Sequence, residues 1–182
     1  MITHQQMTDL YGPENILTLT DQDIEHLGLH AEDAAAITSI GLPRNSSPYF
    51  TTEVHGEPDF LDVTDVTTSK GKEHREIVIG GPPGDPGIRF SLSAYDRFIT
   101  LIQFGGTKPR GEVVNNNLPE FIEFLYRIEL HRENVAADPG IEQESLDALR
   151  STLAGIDPFS FERHEDWWAI ALHQLGGGGL DL

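Results

Sequence analysis

The sequence predicts an α+β fold, a mostly antiparallel sheet of about five to six strands with helices packed against it. Three observations predict it. From Pro48 to Phe104 the chain holds short β-branched and aromatic runs separated by Gly, Pro, Asp and Ser. Within that stretch Ile88, Phe90 and Leu92 alternate with Arg89 and Ser91, the pattern of a half-buried antiparallel strand. On either side lie capped segments with helical spacing of apolar residues.

At the N-terminal side, Asn15–Leu19 reads as an extended lead-in and Thr20 as a helix cap, with Asp23 three residues on to close a capping box. Asp21, Asp23 and Glu25 suit the positive end of that short helix, which Gly28 ends. A second helix is expected over about Ala31–Ile40, stopped by Gly41-Leu42-Pro43. Tyr49–Thr51, Glu76–Ile79, Ile88–Leu92, Phe98–Phe104 and Glu112–Val114 read as strands. Phe98–Phe104 is apolar at nearly every position, which suggests the central one. Residues 56–75 lack a period and read as a loop or an irregular edge.

Asn117 then caps a helix expected to run to about His131. Glu120 is placed to close the box, Phe121, Phe124, Leu125 and Ile128 form one stripe, and Glu123 pairs with Arg127 on the outside. An acidic linker, Glu133–Glu144, leads to a helix near Ser145–Ile156, broken at Asp157-Pro158. The last helix, about Glu165–Leu175, turns Trp168 inward and leaves Trp167 partly exposed. A chain of 182 residues supports one core, so a single domain over 1–182 is expected, with about 1–14 and 176–182 flexible.

Charge and composition exclude several function classes. Thirty acidic residues face twelve basic ones, a formal charge of −18, which argues against nucleic acid or an anionic membrane as the partner. The excess is segregated. Residues 1–69 carry twelve acids and one base, Arg44, and residues 133–182 carry ten and two, while residues 70–132 carry eight and nine. With no cysteine there is no disulfide, thiolate metal site or Cys nucleophile. MITHQQMTDL has neither the basic nor the apolar region of a signal peptide, and no apolar run is long enough for a membrane span, so a cytoplasmic protein is expected.

Catalytic patterns are weak. The glycine-rich loop Gly80–Gly87 contains three prolines and Asp85 and has no Gly-Lys-Ser/Thr, so it reads as a hairpin turn, not a phosphate cradle. His26 and His30 are separated by the helix-ending Gly28, and His164-Glu165-Asp166 are adjacent and do not converge on one ion, so no metal or other cofactor is expected and a metal-dependent hydrolase is the weakest reading. No Gly-x-Ser-x-Gly elbow is present, and Lys108 and Arg110 read as solubilising.

Across nearly the whole chain, the order of several motifs resembles the SUKH superfamily, and within it the fourth subgroup. The motifs are Ile40-Gly-Leu-Pro-Arg44, Tyr49-Phe50, Ile77-Val-Ile-Gly80, Val113-Val-Asn-Asn-Asn-Leu118 leading into Phe121-Ile-Glu-Phe-Leu125, and Asp157-Pro158 with Trp167-Trp168. The resemblance implies the same α+β fold and a non-enzymatic role: a bacterial immunity protein of a polymorphic toxin system that binds and blocks a secreted or contact-delivered toxin, often a nuclease or deaminase. A SUKH-type scaffold or regulatory interaction domain is the alternative. Against a basic toxin the expected contacts are acidic: Asp21, Asp23, Glu25, Glu32 and Asp33 on the N-terminal helices, and Asp59, Asp62 and Asp65 in the irregular stretch.

Overall fold

In the computed structural model, which describes residues 1–67, 71, 73–104, 109–163 and 166–177, the chain begins with a helix, α1 (His4–Tyr11). The expectation of a flexible lead-in over about 1–14 is corrected here. Thr3 and Gln6 close a capping box, Met7 is fully buried and Ile2 nearly so, and the Tyr11 hydroxyl donates to the Leu125 carbonyl at 3.0 Å. So polar a segment shows little period, and its helix is held by a cap and by what it packs against. Burial pushes the Tyr11 phenol up from its ordinary pKa.

β1 (Ile16–Leu17) follows. α2 (Asp21–Ile24) starts at the expected Thr20–Asp23 capping box, and α3 (Ala31–Ala35) runs into a wide π-type turn over Ala36–Ile40. Gly41 ends that turn at φ 91°, where a Cβ would lie 2.6 Å from the Ile16 side chain. β2 (Leu42–Pro43) pairs back with β1, and β3 (Asn45–Ser46) pairs with β4 (Phe50–Thr51).

The main sheet is an antiparallel meander of β5 (Val63–Thr67), β6 (Glu73–Gly80), β7 (Ile88–Ser93), β8 (Ile99–Gln103) and β9 (Arg110–Asn115), each strand beside its sequence neighbour. The stretch 56–75 thus holds the edge strand β5 and the start of β6, and Gly80–Gly87 ends β6 and links it to β7. Gly80 is needed for close approach, because a Cβ there would lie 2.5 Å from both the Phe50 ring and the Thr51 carbonyl. Its neighbour Gly81 exchanges two backbone hydrogen bonds with Thr51, at 2.8 and 2.9 Å.

The central strand is β7, which corrects the expectation for Phe98–Phe104. Thr100, Leu101 and Ile102 of β8 are only half-buried, whereas β7 is buried on both faces from Arg89 to Ser93. Arg89 and Ser91 therefore do not mark a solvated face. The Arg89 guanidinium, with no exposure, is enclosed by main-chain carbonyls. It donates to Pro58 at 2.8 Å, His55 at 2.9 Å and Gly56 at 3.0 Å from one side, and to Pro86 at 3.1 Å and Ile88 at 2.9 Å from the other. Carbonyl dipoles meet its donors in the absence of water, and they tie the 55–58 loop to the β6–β7 connection.

Among the described residues three α-helices follow the sheet: α4 (Leu118–Ala137), α5 (Glu142–Ile156) and α6 (Trp167–Leu175). Asn117 caps α4, accepting from the Glu120 amide at 2.9 Å. α4 runs past His131, and most of the expected linker Glu133–Glu144 is helical; His131 and Ser145 hydrogen-bond across the α4–α5 pair at 2.7 Å. The Glu123–Arg127 pair forms at 2.9 Å, but Glu123 is buried, not outside. One aromatic cluster joins sheet and helices: Phe90 of β7 lies 5.2 Å from Phe121 and 5.8 Å from Trp167, centroid to centroid, and Trp168 lies 5.4 Å from Phe124.

The motif residues of the C-terminal half meet in a polar network inside this core. The fully buried Asp157 carboxylate accepts from the Asn115 side chain (3.1 Å), the Asn116 amide (3.1 Å) and side chain (2.7 Å), and the Ser160 hydroxyl (2.8 Å). The Asn115 carbonyl in turn accepts from the Trp168 indole at 2.9 Å. Asp157→Asn sets N–H against N–H in this network, so it is expected to lower unfolding free energy by about 2–3 kcal/mol. Urea denaturation followed by tryptophan fluorescence checks this, with the midpoint falling and the slope unchanged.

Candidate protein-binding surface

The structure divides the eight acidic residues expected to contact a partner. Asp33 is removed from the set, because its side chain is 1% exposed. It accepts from Arg97 Nε at 2.7 Å and Nη2 at 3.2 Å, and from the Leu118 amide at 3.2 Å, so it fastens α3 to the β7–β8 turn and to the first turn of α4. Glu32, exposed, meets the same Arg97 at 2.7 Å. Asp23 belongs to the α2 capping box, and the Thr20 hydroxyl and amide hold its carboxyl below its ordinary pKa.

Asp62 is half-buried and accepts from the Asp59 amide at 2.7 Å, while Asp59 accepts from the Phe60 amide, an arrangement that shapes the turn before β5. Asp65 forms a cross-strand ion pair with Arg75 at 3.0 Å on the exposed sheet edge, which lowers its pKa. Asp21 and Glu25 lie exposed along α2 and its continuation, beside Ile24 and Leu29 in a shallow depression. Asp21, Glu25, Glu32, Asp59 and Asp65 remain as exposed negative charge.

The expected chemical alternatives fare as follows. His26 and His30 are exposed, and among the described residues no group of three His, Asp or Glu has the arrangement to hold a metal ion. Asp166 is buried and engaged by Arg163, whose amide and Nε each donate at 2.8 Å. His164, Glu165 and Lys108 lie outside the described residues. No described helix is long and apolar enough to cross a membrane.

Sequence reasoning missed a second feature, the face of the main sheet turned away from the helices. Side chains alternate across a strand, so Phe90 and Leu92 enter the core while Ser91 points the other way. On that side a cavity of about 350 Å³ is lined by His74, Glu76 and Val78 of β6, Ser91 of β7, and Thr100 and Ile102 of β8, among others. Glu76 is partly enclosed, and its Oε2 is buried with no hydrogen-bond partner among the described residues. Burial, reinforced by the nearby Asp96 carboxylate and opposed by a hydrogen bond from Ser93, raises the Glu76 pKa. His74 pairs with Asp96 at 3.1 Å at the end of this groove. The sequence signals were Val78 and Ile102, apolar residues on a face that no described helix covers.

The match with known families covers all of these elements. The family model for SUKH-4 immunity protein matches residues 2–174.

The chain belongs to the SUKH-4 family.

Neither the curated proteins nor the solved structures include a significant match to it. For this SUKH-4 chain the motif order seen in the sequence now has a physical meaning: Asn115, Asn116, Asp157 and Trp168 are bonded to one another, and Phe121 packs on Phe90.

Two outcomes separate architecture from surface. Asp33→Ala leaves the buried Leu118 amide without its acceptor and Arg97 with the exposed Glu32 as its remaining carboxylate, and is expected to cost about 3 kcal/mol of stability. Asp21→Ala is expected to cost less than about 0.5 kcal/mol; thermal or urea unfolding reads both. Glu76 has a folded-state pKa above its unfolded value, so the folded chain is favoured below the unfolded value of 4.5, and that advantage is lost as pH rises through the folded value. Glu76→Gln removes the loss, so at pH 7 its denaturation midpoint is expected above the wild type's, with the two converging near pH 4.

Proposed function

We propose that this chain is an immunity protein that neutralises a cognate toxin, secreted or delivered by contact, through direct binding in the cytoplasm. The observation that carries the reading is the SUKH-4 immunity protein match over residues 2–174, nearly the full length. Its work is recognition, not turnover. The toxin class that suits the family resemblance is a nuclease or a deaminase, whose substrate-binding surface must be basic to hold a polyanion. A chain of formal charge −18 meets such a surface with the sign of the polyanion it displaces.

Asp21, Glu25, Glu32, Asp59 and Asp65 are the contacts that fit this reading, being exposed. Asp33 and Asp62 serve the fold, and Asp23 serves a cap. Long-range charge of this kind acts chiefly on the encounter rate.

The test is co-expression with the product of the neighbouring gene, followed by co-purification and rescue from toxicity. The double variant Asp21→Lys/Glu25→Lys is expected to slow association about tenfold at low salt, with the difference shrinking above about 0.5 M salt. Stopped-flow or surface-binding kinetics read this. A rate unchanged at every salt concentration sinks the acidic contact, and absence of any complex with the wild type sinks direct binding.

A further inference from the structure

The groove on the open sheet face is built differently from the exposed acids. Its walls are largely apolar, with Val78 and Ile102 in the lining, yet Glu76 offers an oxygen that nothing among the described residues answers. Among the described lining residues there is no lysine or arginine. Asp96 adds a second carboxylate nearby, already engaged by His74, and Tyr95 and Phe98, 60% and 38% exposed, flank it in the β7–β8 turn. A buried polar atom without a partner is a standing cost, which a ligand of matching chemistry removes.

A neutral donor satisfies the hydrogen bond but not the charge. A small hydrated cation satisfies the charge but leaves the apolar walls uncovered. The occupant that answers both is a cation on an aliphatic stem, and lysine and arginine side chains have that build.

We propose that the open face of the β5–β9 sheet seats one arginine or lysine side chain of the toxin, its stem lying on Val78 and Ile102 and its head paired with Glu76. The proposal rests on the direct-binding reading above and adds to it where the partner is gripped. The exposed acids steer a basic toxin towards the chain, and the groove holds it, so the two act on different rate constants.

The seat is tested without any toxin. The full chain, labelled with carbon-13, is titrated with n-butylguanidinium and, separately, with its neutral isostere n-butylurea, and the Glu76 side-chain carboxyl resonance is followed. Butylguanidinium is expected to bind about tenfold more tightly than butylurea, with a saturable shift at Glu76, and Glu76→Gln is expected to erase the difference. Circular dichroism confirms that the variant folds. Equal affinity for the two probes, or a preference that survives Glu76→Gln, overturns the proposal.

The occupant is tested with the neighbouring gene's product. Glu76→Gln is expected to weaken that complex at least about tenfold through faster dissociation, unlike the association defect of Asp21→Lys/Glu25→Lys. Full affinity in Glu76→Gln overturns the groove as the toxin's seat and leaves direct binding standing. No complex with the wild type removes direct binding and the toxin as occupant together, while the two small probes still decide the seat.

Discussion

A carboxylate held out of water by amide and hydroxyl donors constrains the C-terminal half of the molecule. Asp157 ends α5, and its oxygens are taken by Asn115 and Asn116 at the end of β9 and by Ser160 in the turn that follows. Hydrophobic contact tolerates sliding, whereas bonds of this kind fix distance and angle. Through Asn115 the constraint passes to the Trp168 indole, which sets the depth of α6. The Trp168 ring lies against both Phe121 and Phe124, so the placement of α4 over the sheet follows from the same point. Each donor in the chain of bonds comes from a segment that had to be an Asn, a Ser or a Trp at one position.

That chemistry explains which parts of the fold were legible in the sequence. The caps at Thr20 and Asn117 were readable because donor and acceptor lie three residues apart and no distant partner is involved. Strands β6 to β9 were readable as short apolar runs in sequence order, with Gly and Pro marking the β6–β7 and β8–β9 connections. The family motifs were readable as an order of residues, and their convergence on Asp157 was not, since 42 positions separate Asn115 from it.

What stayed hidden depends on such distant meetings. Arg89 looks like the polar partner in an alternating strand, and only the arrival of the 55–58 loop buries it. Asp33 sits in an acidic run that reads as solvated surface, and its partner Arg97 comes 64 residues later. Ile102 made β8 look central, when one of its faces packs on the core and the other lines an open groove. α1 escaped notice because its few apolar residues are answered by distant segments, the Ala36–Ile40 turn and α4 among them. In each case the residue's identity was informative, and the location of its answer was not.

The bond between Tyr11 and the Leu125 carbonyl joins positions 114 apart. During synthesis the chain emerges from its N-terminal side onward, and α1, which also touches β1 and the Ala36–Ile40 turn, cannot complete its packing until the greater part of α4 has left the ribosome. Asn115 and Asn116, likewise, wait for Asp157. The meander, whose strands pair with their immediate neighbours, has no such delay. The translating chain can therefore assemble its sheet first and seat α1 and α6 only after α4 and Asp157 have emerged.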